Sequence, residues 1–107
     1  MMRSELTLAY TTFQTRAQAQ SVIETLLNEE LIACANMFEI TSIYKWEGKI
    51  QNTSEIGCII KTSQEKSKTL EKRLEVLHPY EVPCIIFLGV ESASSPFTTW
   101  VTQSLSR

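Results

Sequence analysis

Residues 39–62, EITSIYKWEGKIQNTSEIGCIIKT, restrict the fold of this chain more than any other stretch. Two runs rich in β-branched side chains flank a polar bend at Glu47, Gly48 and Lys49. On the outgoing run Ile56, Cys58 and Ile60 project to one side and Gly57, Ile59 and Lys61 to the other, the period of two that a strand imposes. On the incoming run Ile40, Ser42, Tyr44 and Trp46 share one face, and Glu39, Thr41 and Ile43 the other. Neither face is uniformly polar, so both sides of the pair call for a covering layer. The spacing between the runs is not that of a clean two-residue hairpin. It predicts a long, twisted pair with Trp46 and Lys49 at its tip and room for a bulge near the bend.

The remaining segments supply one of those layers. Residues 5–12 alternate as a short strand. Thr15-Arg16-Ala17-Gln18 fits a capping box with Thr15 as N-cap, and Ala19, Val22, Ile23, Leu26 and Leu27 then recur at helical spacing. This helix should end near Glu29 and Glu30 without a glycine cap. Residues 31–38 lead into the second strand, which continues through Trp46, and residues 55–62 form the third. Thr62-Ser63-Gln64-Glu65 reads as a second capping box, followed by Leu70, Leu74 and Leu77 and stopped by Pro79. Residues 82–90 form the fourth strand, with Pro83 pointing to an edge position or to a place at the strand's start. Residues 96–105 close the chain as a short helix with Ser95 as N-cap and Pro96 at its first position. The order is β-α-β-β-α-β plus a terminal helix. It predicts an α+β, ferredoxin-like sandwich with a long central hairpin, as one domain over 1–107. Two helices cover only one sheet face, and the apolar side chains left on the other predict self-association.

Charge excludes one class of partner. The net charge is −2, and the four cations within residues 66–73 are interleaved with glutamates, so a nucleic-acid footprint is lacking. No run approaches the length of a membrane span. Three cysteines, an odd number, with no apolar leader argue against a disulfide framework and predict a cytoplasmic protein.

His78-Pro79-Tyr80-Glu81 is the densest group of reactive side chains. Imidazole and carboxylate both ligate divalent metals, and His78 is the single histidine of the chain. The alternative is a helix-terminal His78 beside a packed Tyr80. Cys58 and Cys84 read as small buried hydrophobes, and Cys34 as a thiol open to copper. Tyr44, Trp46, Glu47 and Lys49 crowd one bend, where they wall a small-ligand pocket or pack on a neighbouring subunit. Lys61 ends a strand within reach of Glu81 or an anion. There is no nucleophile elbow or glycine-rich phosphate loop.

Ala33-Cys34-Ala35-Asn36, residues 42–50 (SIYKWEGKI), Lys61-Thr62 and His78-Pro79-Tyr80-Glu81-Val82-Pro83 together resemble the CutA divalent-cation-tolerance family. The resemblance implies a cytoplasmic ferredoxin-like homotrimer that binds divalent ions, with no catalytic reaction attached. It matches Cys34 to the family cysteine and His78 to the histidine of the family's His-Pro-Tyr-Glu motif, and implies Tyr44, Trp46, Lys61, Tyr80 and Glu81 as residues lining a cleft between subunits. Cys84 stands where the family usually has glutamate, which shifts the expected preference from hard metals toward Cu(II) if the thiol faces the cleft. The expected metal set is therefore His78, Glu81, Cys34 and Cys84. The expected function is a trimeric copper-favouring protein of divalent-cation homeostasis. The alternatives are a small-molecule-binding signalling or scaffold trimer, or an enzyme using the Tyr/Trp/Lys/Glu cleft.

Overall fold

The computed structural model describes residues 4–105, so the expected span of 1–107 runs past it at both ends. The elements are β1 (Leu6–Phe13), α1 (Arg16–Asn28), β2 (Cys34–Trp46), β3 (Lys49–Ser63), α2 (Ser67–Leu77), β4 (Ile85–Gly89) and α3 (Ser95–Leu105). The four strands form one antiparallel sheet in the order β2-β3-β1-β4, the ferredoxin-like α+β arrangement with an added terminal helix.

Strand alternation assigns the layers. Ala9 and Phe13 of β1, Ile56, Cys58 and Ile60 of β3, and Ile85 and Phe87 of β4 face α1 and α2. There they pack with Val22, Ile23 and Leu26 of α1 and with Leu70 and Leu74 of α2. The opposite sheet face is covered at one end only. Val101 and Leu105 of α3 pack with Leu6, Ala33 and Val90. Beyond that cap Ile86 and Leu88 of β4 remain 49% and 51% exposed. On this face the Phe38 ring lies across Gly57, where an added Cβ would sit 2.8 Å from the ring.

The connection from β2 to β3 departs from the expected one. Pairing runs unbroken from Cys34↔Lys61 to Trp46↔Lys49, with no bulge, through a turn of two residues. Glu47 (φ 52°) and Gly48 (φ 79°) both take positive φ, the conformation that matches strand twist. Glu-Gly is a weaker signal for this turn than Asn-Gly, and β3 consequently begins at Lys49, not residue 55. Pairing with β1 stops at Phe13↔Ile56, so the outer halves of β2 and β3 continue as a two-stranded arm roughly 20 Å long.

Helix ends follow local chemistry. Thr15 accepts from the Gln18 amide as expected. The second cap moves by one residue: Ser63 accepts from the Lys66 amide above a single 3-10 turn, while the Thr62 hydroxyl is buried and donates to the Leu31 carbonyl. At the end of α1 the amides of Glu30 and Leu31 donate to the carbonyls of Leu27 and Leu26, which is a Schellman closure. Glu30 occupies its left-handed position (φ 59°), where glycine carries no Cβ penalty. Glu30→Gly is expected to raise stability by about 1 kcal/mol. An unchanged or lowered urea midpoint would show that Glu30 is not strained.

Candidate functional site

The end of the open face nearest the arm is a cleft of about 800 Å³. One wall is the arm, with Tyr44 and Trp46 from β2 and Gln51 and Thr53 from β3. The other is the loop before β4, with Tyr80, Glu81, Val82 and Cys84. Thr12, Gln14 and Glu55 form the floor. The alternation that sends Ile56 and Cys58 into the core sends Glu55 here, beside the arm.

Glu55 is the centre of the polar network. The Ser42 hydroxyl donates to one carboxylate oxygen at 2.5 Å and the Tyr80 hydroxyl to the other at 2.6 Å. Burial and the Glu55 carboxylate together push the Tyr80 phenol well above its ordinary range. Burial, then Glu55, also raises the Cys84 thiol. No motif in the sequence singles out Glu55. The available signal was its parity: it lies two residues from Gly57, on the face of Lys61 and opposite the Tyr44 side of β2.

His78 is placed differently from the sequence expectation. Its ring is 7% exposed and stacks on Phe13 at 4.4 Å, with 8° between planes. The only possible partner of the Thr12 carbonyl oxygen, 2.8 Å from Nε2, is an N–H, so Nε2 is the protonated nitrogen. Nδ1 is the acceptor of the Tyr80 amide at 3.2 Å. Both nitrogens of the neutral imidazole are thus occupied: Nε2–H donates to Thr12, and the one available lone pair, on Nδ1, accepts from the Tyr80 amide. Proline at position 79 holds His78 in the extended conformation (ψ 133°), which aims the ring back at β1. The helix-terminal cation reading is equally set aside: burial lowers the His78 pKa, outweighing the Thr12 hydrogen bond and the Glu55 charge that raise it.

A lowered folded-state pKa means that the unfolded chain binds the His78 proton first. Stability is then full above the unfolded value near pH 6.5 and declines as pH falls below it toward the folded value. Urea midpoints measured between pH 7.5 and pH 5 should fall on acidification, and His78→Asn should flatten that component. A midpoint independent of pH across this window would contradict the buried neutral imidazole.

The other expected site residues scatter. Cys34 pairs with Lys61 at the far end of β2, and the Lys61 ammonium donates to the Asn36 side chain, away from the cleft. Glu81 is exposed, and Cys84 is half-buried on the opposite wall from Tyr44. Among the described residues no three His, Cys, Asp or Glu side chains group closely enough to hold a metal ion. His78, Glu81, Cys34 and Cys84 therefore do not make a metal centre within one chain. Tyr44, Trp46, Tyr80 and Glu81 do meet in the cleft, and Lys61 does not.

The features so far define a ferredoxin-like domain with an added helix and an acid-and-aromatic cleft under a projecting strand pair. The chain belongs to the CutA1 divalent ion tolerance protein family, whose model matches residues 7–104. It is 40% identical over 100 residues to the divalent-cation tolerance protein CutA of Pyrococcus horikoshii, covering 94% of this chain and 98% of that one. It is 42% identical over 98 residues to the protein of the same name from Thermotoga maritima, covering 92% and 97%. The crystal structure of the divalent ion tolerance protein CutA1 from Ehrlichia chaffeensis superposes with a TM-score of 0.94 at 35% identity, over 100% of both chains.

Proposed function

We propose that this chain is a cytoplasmic homotrimer that acts in divalent-cation tolerance, binding ions between subunits and catalysing no reaction. The observation that carries the reading is the arm. A strand pair with no third strand is marginal in water. This one exposes Ile43 (68%) and Ile50 (75%) on the face away from the cleft, and β2 leaves a thirteen-residue edge unpaired. Further copies of the same chain satisfy both needs by closing a ring around the exposed edge, and three as the number of copies is what the family resemblance implies.

The divalent-cation role is supported by the names of the relatives. The donor set within one chain does not fit a metal, so direct ligation requires donors from more than one copy. Glu81 and Cys84, both lining the cleft, are the available carboxylate and thiol, and sulfur in the ligand set favours copper. Cytoplasmic residence accords with three free thiols. A binding role accords with an imidazole whose two nitrogens are both committed to the backbone. Calorimetric titration with Cu(II) tests this reading. Cys84→Ser should weaken binding at least tenfold, about 1.4 kcal/mol, and His78→Asn should leave it unchanged. Full affinity in Cys84→Ser together with loss in His78→Asn would reverse the assignment.

A further inference from the structure

The same cleft has chemistry that a bare metal ion does not use. It is far larger than an ion, at about 800 Å³, and falls within the range of small-molecule sites. Its lining carries Glu55 and Glu81, and no described lysine or arginine. Glu55 is half-buried, and both its partners are neutral hydroxyls. Ser42 and Tyr80 therefore fix the plane of the carboxylate without cancelling its charge, and each oxygen keeps a further lone pair. A partly desolvated anion held in this way is completed by a cation that can donate hydrogen bonds. Above it stand Tyr44 and Trp46, 45% and 63% exposed. Their ring faces attract a cation through the quadrupole, more strongly as water is excluded.

We propose that the cleft binds a small organic cation, a protonated amine, with Glu55 as its anionic anchor and Trp46 and Tyr44 as its aromatic wall. The ammonium group donates to the Glu55 carboxylate, and its alkyl portion lies against the rings. Ser42 and Tyr80 are positioning residues for Glu55. His78 positions Tyr80 in turn, through the acceptor nitrogen that holds the Tyr80 amide. A small anion is disfavoured in the cleft by the same charges. The proposal does not depend on metal ligation between subunits.

The test is an NMR titration of the metal-free full chain, with chelator present and no amine buffer. The probes are butylammonium chloride, butan-1-ol as its neutral analogue and sodium butyrate as its charge inverse. Butylammonium should produce saturable shifts at the Trp46 indole with a Kd of about 1 mM or below, and the alcohol and butyrate should bind at least tenfold more weakly. Glu55→Gln should remove most of that preference while the amide spectrum stays folded. Trp46→Leu, which leaves the anchor charge in place, should also weaken butylammonium at least tenfold, read at the backbone amides of Tyr44 and Glu55. Equal binding of the alcohol, undiminished binding in both variants, or no saturable binding of butylammonium would overturn the proposal. Repeating the titration after Cu(II) loading separates the two readings: failure of copper to bind leaves the ammonium result intact, and the reverse also holds.

Discussion

His78→Ala is expected to destabilise the chain by about 3 kcal/mol, measured as the shift in urea unfolding free energy. The ring is stacked on Phe13 at the edge of the main core, and its removal leaves a cavity there. The change also strands the buried Thr12 carbonyl and the partly buried Tyr80 amide. Unsatisfied groups of this kind carry the full desolvation penalty. The effect should extend to the cleft, because the Tyr80 amide contact fixes the loop that brings the phenol to Glu55. His78→Asn retains a donor and an acceptor and should recover part of the loss. A change below about 0.5 kcal/mol in His78→Ala would mean that the ring is a surface group, and would reopen its use as a metal ligand.

The second large effect concerns the arm. Ile43→Asp combined with Ile50→Asp should dissociate the proposed trimer and leave the subunit folded. Both side chains lie on the face of the arm turned away from the cleft, and neither touches the core described above. Two apolar anchors at about 2 kcal/mol each correspond to roughly a thousandfold rise in dissociation constant. Sedimentation at micromolar concentration reads the outcome directly. An unchanged sedimentation coefficient would place the interface elsewhere, with the exposed Ile86 and Leu88 face as the next candidate.

The element order was legible because each segment obeys its own local rule. Thr15 and Gln18 cap α1, the stripe from Ala19 to Leu26 faces the sheet, and Pro79 ends α2 through its effect on His78. The family resemblance also holds, since the family model matches residues 7–104. The differences arise at one atypical turn and where non-local packing decides. Glu47-Gly48 adopts a tight turn whose preferred residues are asparagine and glycine, so the strand signal was cut short and the arm's regularity was missed. Thr62 was assigned to a cap because hydroxyl spacing cannot reveal that Leu31 lies within reach of it. His78 looked like a ligand because sequence displays an imidazole without its surroundings. Only the fold brings the Thr12 carbonyl and Phe13, sixty-odd residues away, against its ring. Glu55 was overlooked for the opposite reason: an isolated carboxylate in a strand has no motif, and its importance comes from Ser42 and Tyr80 arriving from other elements.

The central claim is that the arm and cleft are completed by other copies of the chain and that divalent ions bind only to that assembly. Native mass spectrometry with and without Cu(II) tests both parts at once. The predicted result is a mass of three 12.2 kDa chains that persists on dilution, with copper in whole-number stoichiometry on the trimer and none on the monomer released by the Ile43 and Ile50 substitutions. A folded monomer at micromolar concentration, or copper bound equally well by that monomer, would contradict it.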